Sequence, residues 1–241
     1  MEKTTRILRP WFAVMTACLG FICSAHAQEP PNNAAPKGNT FTVIALSAIP
    51  YENIYYRKGE EYVPIELRNG MRSQAYALGQ GSATMDIFTD HDDEENPYKL
   101  VGRAPLVSGT SKMLFFIGMS NSTDQKALPL VLYGLDDSRT AFPNGSFRFI
   151  NFISAPLVID FHKKRFLVKP GKPVLQKLNL SQAGSFTPFV VRDSKGKVLG
   201  GTRLFSHATN REMVLVFPPK KGAKRLDIRY FPDAEQPQLE Q

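Results

Sequence analysis

The side chains best suited to act on a partner are cationic and lie in the second half of the chain. Lys163-Lys164-Arg165, with Lys169 and Lys172 beyond, form one cluster, and Lys220-Lys221 with Lys224-Arg225 form another. Grouped ammonium and guanidinium ions hold carboxylates and phosphates through charge-assisted hydrogen bonds. Residues 140–241 carry 17 Lys and Arg against 7 Asp and Glu, net +10, whereas residues 28–139 carry 10 against 14, net −4. Lys163, Lys164, Arg165, Lys220, Lys221, Lys224 and Arg225 are therefore the candidate anion-binding residues. The partner they imply is an anionic envelope polymer or an acidic protein surface. The competing reading is a solvated basic face that serves solubility alone. Nucleic acid is not expected, because Phe161, Phe166 and Phe217 beside the basic runs alternate toward a core instead of offering stacking platforms.

Catalytic chemistry is harder to find. Asp90-His91-Asp92-Asp93-Glu94-Glu95 is the densest polar run. Asp90, Asp92 and Glu94 alternate as calcium-loop oxygens do, but Glu95 stands where the tight Gly belongs and Val101 where the closing Glu belongs. The run reads instead as a solvated hairpin tip that discourages edge pairing. His91, His162 and His207 are far apart, so no single element supplies two imidazole ligands. The nucleophile elbow Gly-x-Ser-x-Gly is absent. Ser194-x-x-Lys197 falls on a turn between expected strands, not at a helix start. A glycan hydrolase would need two converging carboxylates. Tyr51, Tyr55, Tyr56 and Tyr62 could offer it a sugar platform, although ordinary strand packing is the simpler account of them. No catalytic residue, cofactor site or metal ligand is assigned, and no enzyme activity is expected.

The N-terminus reads as a secretory signal. Lys3, Arg6 and Arg9 precede a mostly apolar run at 11–23, and Ala25-His26-Ala27 is a small-x-small cleavage site ending at Ala27. The run is shorter than the roughly 20 residues a spanning helix needs, so no transmembrane segment is expected after processing. Cleavage of residues 1–27 removes Cys18 and Cys23 and leaves 214 of the 241 residues, without thiol or disulfide. Acylation at Cys18, behind Thr16-Ala17, is the alternative processing. Residues 28–39 form a Pro- and Asn-rich leader and residues 233–241 a polar tail, both expected to be disordered.

Between leader and tail, strands must position the basic clusters. Tyr62, Pro64 and Glu66 alternate with Val63, Ile65 and Leu67, the period-two pattern of a strand. Arg68-Asn69-Gly70 is a hairpin signal. Short strands are expected at 41–46, 53–56, 62–67, 72–78, 83–88, 98–101, 106–107, 112–117 and 128–133. A second set is expected at 146–153, 157–161, 165–168, 174–180, 186–192, 198–205, 212–217 and 225–230. The second set restates the first. Phe41 and Phe147, Ile44 and Ile150, Pro50 and Pro156, Tyr55 and Phe161, and Lys58 and Lys164 are each 106 apart. Lys99-Leu100-Val101-Gly102 and Lys197-Val198-Leu199-Gly200 are 98 apart. The expected fold is all-β, with two tandem immunoglobulin-like β-sandwich modules at 40–139 and 145–232, an internal duplication.

In each half an apolar strand, a Pro break, an aromatic-bearing strand and a Gly turn follow one another. In the first half Ser73-Gln74-Ala75-Tyr76 then precedes Gly79 and Ile87-Phe88. This order resembles the secreted β-sandwich modules of unknown function found in bacterial envelope proteins. The resemblance implies architecture and brings no catalytic residue. The expected role is an exported, non-catalytic binding or structural module of the bacterial periplasm or cell surface. The alternatives are a two-domain periplasmic assembly chaperone of the pilus type, whose closing strand Arg229-Tyr230-Phe231-Pro232 resembles, and a glycan hydrolase. Intact-mass measurement of the exported protein is expected to give a chain beginning at Gln28. Recovery of the full-length or Cys18-acylated chain would overturn that cleavage.

Overall fold

The computed structural model describes residues 38–79, 81–178 and 184–234. The expected signal with both cysteines, the expected leader up to residue 37 and the expected tail beyond residue 234 lie outside them. Every regular element among the described residues is a strand. The first half holds β1 (Thr40–Ala45), β2 (Ile54–Lys58), β3 (Glu61–Pro64), β4 (Tyr76–Ala77), β5 (Thr84–Asp90), β6 (Tyr98–Pro105), β7 (Lys112–Met119) and β8 (Leu130–Asp136). The second holds β9 (Ser146–Asn151), β10 (Leu157–Phe161), β11 (Lys164–Val168), β12 (Val174–Lys177), β13 (Ser185–Arg192), β14 (Val198–Ser206), β15 (Asn210–Phe217) and β16 (Asp227–Ala234).

The wiring of the first eight strands recurs in the last eight. β1 pairs antiparallel with β4 and parallel with β7, which pairs with β8. β2 pairs with β3 and β5, and β5 with β6. In the second half β9 takes the place of β1, giving the sheets β12-β9-β15-β16 and β11-β10-β13-β14. One link differs. β6 and β8 pair at Gly102 with Leu130 and Arg103 with Val131, which joins the first half into one eight-stranded sheet. At the matching place in the second half the Ile228 side chain closes on Gly200, where an added Cβ would lie 3.3 Å from it, and the two sheets stay separate.

Three apolar layers stack these strands. Phe41, Val43, Phe115 and Ile117 fill the first with Ile54, Tyr56, Met85 and Ile87 from the facing strands. Phe147, Phe149, Val214 and Val216 fill another with Ile159, Phe161, Phe189 and Val191. The alternate residues of the same inner strands, Ile44, Leu114, Phe116, Ile150, Met213 and Leu215, form a layer between the halves, with Phe142, Leu135 and Phe231. The order is outer strands, inner strands, inner strands, outer strands. β1, β7, β9 and β15 are thus buried on both faces. That is why β7 carries the continuous apolar run Met-Leu-Phe-Phe-Ile and β15 the run Met-Val-Leu-Val-Phe, without clean alternation, while β9 buries Ser146, Arg148 and Asn151 among its apolar residues. The halves do not separate into independent bodies.

Several expected strands are shorter or placed differently. The run 72–78 contributes the two-residue β4 and one bridge from Arg72 to Ile44, because the Ser73 hydroxyl accepts the Val43 amide in place of a ladder bond. Arg68-Asn69-Gly70 joins no adjacent strands; Asn69 bridges Ala45 in parallel and the Gly70 amide donates to the Ala45 carbonyl. β3 stops at Pro64, and beyond it the Glu66 amide donates to the Tyr76 hydroxyl. Residues 179 and 180 of the expected strand at 174–180 lie outside the described residues. Residues 233 and 234 of the expected tail belong to β16, where Asp233 and Ala234 pair with Arg211 and Asn210. An ion pair at 2.6 Å between Arg211 and Asp233 secures that end.

Because one apolar layer serves both halves, residues 38–234 should unfold in one step. Phe116→Ala is expected to cost about 3–5 kcal/mol, the range for a fully buried Phe. Near- and far-ultraviolet circular dichroism should give coincident melting curves for wild type and variant. Two resolved transitions would show that the halves are independent.

Candidate anion-binding trough

The turn between β10 and β11 sets the site. Phe161 pairs with Lys164, so the turn is the dipeptide His162-Lys163. Both residues have positive φ, 46° and 63°. Two-residue hairpins of this kind favour Asn and Gly, and other L-residues adopt left-handed backbone at a cost of about 1–2 kcal/mol each. The strained pair stands at the lip of a depression of about 780 Å³ that Asp160, Lys164, Arg165, Phe186 and Pro188 also line. Strain of this sort persists where a site needs it.

The floor is the outer face of β13. Thr187, Phe189 and Val191 point into the core, so Phe186, Pro188 and Val190 point out. Phe186 is 67% exposed and its register partner on β14, Phe205, is 45% exposed, their rings meeting edge to face at 5.4 Å. A second depression of about 730 Å³ shares Pro188 and Val190 and adds Lys197, Arg203, Lys224 and Arg225. Gly201 keeps that part bare, since a Cβ there would sit 2.5 Å from the Phe189 carbonyl oxygen. The two depressions adjoin at Pro188 and Val190 and together make up the trough.

Seven cationic side chains line it, against the single carboxylate of Asp160. Asp160 accepts from Arg165 Nε at 2.5 Å and Arg192 Nε at 2.7 Å. These bonds hold its carboxyl down at about 2, so it is ionised at neutral pH and already neutralised by its partners. The ion pairs among the described residues leave Lys163, Lys164, Lys197, Arg203, Lys224 and Arg225 without an acidic partner. Of the seven residues expected from sequence, the trough gathers Lys163, Lys164, Arg165, Lys224 and Arg225. Lys220 instead stands 3.9 Å from Asp227, and Lys221 is exposed in the same turn. Lys197, Arg203, Phe186 and Pro188 were not expected in the site. The outward parity of Phe186 and Pro188 between buried Thr187 and Phe189 was the available signal.

The other candidate groups do not converge on it. The acidic run 90–95 is an exposed hairpin between β5 and β6. Among the described residues no three His, Cys, Asp or Glu side chains gather as a metal would require. His91, His162 and His207 sit on three separate turns. Tyr56 is buried and donates to the Ala77 carbonyl at 2.9 Å, whereas half-buried Tyr62 stacks on Tyr98 at 3.9 Å on the outer face of the first half, away from the trough. Asp137 and Asp233 do converge, but on one guanidinium nitrogen of Arg211, at 3.2 and 2.6 Å. Arg72 adds a 2.6 Å bond to Asp137, so the pair is held as counter-ions and not as a free acid and base. No protein-family model matches the chain, and no curated protein matches it.

Behind the trough's sheet, Glu212 faces the second-half core beside Val214 at 9% exposure. Burial pushes its carboxyl up from 4.5 to about 7. The unfolded chain therefore loses this proton first as pH rises, and the fold loses stability between about pH 4.5 and 7. At about 1.4 kcal/mol per unit the loss amounts to at most about 3 kcal/mol. Glu212→Gln should flatten that segment of the stability–pH curve and be the more stable protein at pH 8 in urea titrations. An unchanged slope would show that Glu212 ionises freely in the fold.

Proposed function

We propose that this chain is an exported, non-catalytic binding protein of the bacterial periplasm or cell surface, and that its trough holds an anionic polymer. We also read its halves as immunoglobulin-like sandwiches that arose by internal duplication. The recurrent pairing of β1–β8 in β9–β16 and the sequence offsets support that history. The observation that carries the binding reading is the trough itself: cations without acidic partners, gathered from three separate turns and β14 over an exposed aromatic floor. Solubility charge has no need of a strained His162-Lys163 turn at the lip of a depression. Each exposed ion pair contributes only about 0.2–1 kcal/mol. A polymer offsets this by presenting its charges in series, so that each contact raises the effective concentration of the next. The apolar floor gives the chain of such a polymer something to lie against.

The mature protein should be retained on a resin bearing a polyanion and released as salt screens the contacts. Lys163→Glu with Lys164→Glu should elute at clearly lower salt, whereas Lys220→Glu with Lys221→Glu should elute closer to wild type although it carries the same net charge. Lys163→Gly separates structure from function. It should raise stability by about 0.5–1 kcal/mol by relieving the left-handed backbone, yet weaken retention. Equal elution of the two charge-reversed variants would mean that the resin reads net charge and that the trough is no site.

A further inference from the structure

We propose that the trough also accepts the acidic hairpin of a second copy of the chain, so that copies join head to tail. This rests on the trough being the anion-binding surface and names a second occupant for it. The hairpin carries Asp90, Asp92, Asp93, Glu94 and Glu95, and residues 90–97 are all exposed. It is a shaped tip. The His91 amide donates to the Pro97 carbonyl at 2.9 Å, the Glu95 amide donates to Asp93 Oδ1 at 3.0 Å, and Asn53 donates to Asp90 at 2.8 Å. Asp92, Glu94 and Glu95 take part in no ion pair among the described residues. A preorganised anion of this kind loses little freedom on docking.

The layer order decides where it can dock. The hairpin joins β5 and β6 in the outermost layer of the first half, and the trough lies on β10, β13 and β14 in the outermost layer of the second. Three apolar layers separate them, about 30 Å at about 10 Å per packed sheet. The two charged surfaces of one chain therefore face away from each other, and their complementarity is usable only between copies. Such a contact is heterologous. Each added copy leaves a free hairpin at one end and a free trough at the other, and the assembly stays open. A hairpin tip buries less than the roughly 1,600 Å² of a standard interface, so the junction is weak and salt-sensitive. Polymer and hairpin use the same lysines, hence soluble polyanion should disperse the assembly.

Sedimentation velocity of the mature chain tests this at about 10 mM salt, where screening extends to about 30 Å, and at about 0.15 M, where it falls to about 8 Å. Wild type should show a mass that grows with concentration at low salt and returns toward the monomer at high salt. A hairpin variant, Asp92→Asn with Glu94→Gln and Glu95→Gln, and a trough variant, Lys163→Gln with Lys164→Gln, should each stay monomeric. Mixed in equal amounts they should form dimers and nothing larger, because one productive junction remains. The hairpin variant should keep wild-type retention on the polyanion resin, which also shows that it is folded. Assembly of the hairpin variant like wild type, or a wild type monomeric at low salt, overturns this inference and leaves polymer binding standing. Assembly of the trough variant like wild type, together with its unchanged retention on the resin, would overturn both readings.

Discussion

Apolar side chains on both faces of β1, β7, β9 and β15 oblige the two halves to pack against each other. A sheet exposing Ile44, Leu114 and Phe116 on one side could not remain in water alone, and Ile150, Met213 and Leu215 present the matching face. The connection between the halves is drawn into the same layer. Phe142 is fully buried between the Arg148 and Arg211 guanidinium groups, at 4.3 and 4.8 Å from its ring centre. Those arginines also satisfy the connecting backbone: Arg148 donates to the carbonyls of Asp136 and Ala141, and Arg211 to those of Asp137 and Phe142. Arg211 is also paired with Asp137 and Asp233, whereas Arg148 is held by its carbonyl bonds and the Phe142 ring. On the opposite side Arg229 lies over the Phe217 ring and donates to the Leu46 carbonyl, tying β16 to the end of β1.

Everything else about the molecule follows from having two inner and two outer layers. The inner strands have no face left for a ligand. Each outer layer has one buried face and one wet face, so recognition is confined to the wet faces and to the turns at their ends. The net negative first half and the net positive second half are thereby carried to opposite sides of the body. The same arrangement makes the halves poor subjects for separate expression, since either one alone would expose the intervening apolar layer.

The departure from symmetry between the halves lies beside the trough. Where β6 and β8 close the first half by backbone pairing, β14 remains an edge strand against the Ile228 side chain. An edge strand invites unwanted pairing unless charge guards it. Lys197, Arg203, Lys224 and Arg225 stand along that edge, so the cations that line the trough also protect the strand that forms its rim.

The all-β class was legible in the sequence because short apolar runs, prolines and glycines recur at strand spacing, and those signals act within a few residues. The basic clusters and the acidic hairpin were legible for the same reason: each is contiguous, and each falls on a turn. What the tertiary structure decided is which of them meet. Lys163 and Lys224 are far apart in the chain, and only the side-by-side pairing of β10, β13 and β14 brings them to one face, while Lys220 and Lys221 do not line it. Arg72 shows the limit most clearly. By local pattern it belongs to a strand at 72–78, but Asp137 and Asp233, from the connection and the last strand, draw it into the layer between the halves. Local sequence carries propensity and turn chemistry; a charge pair across that many residues exists only once the apolar layers have fixed the distance between its partners.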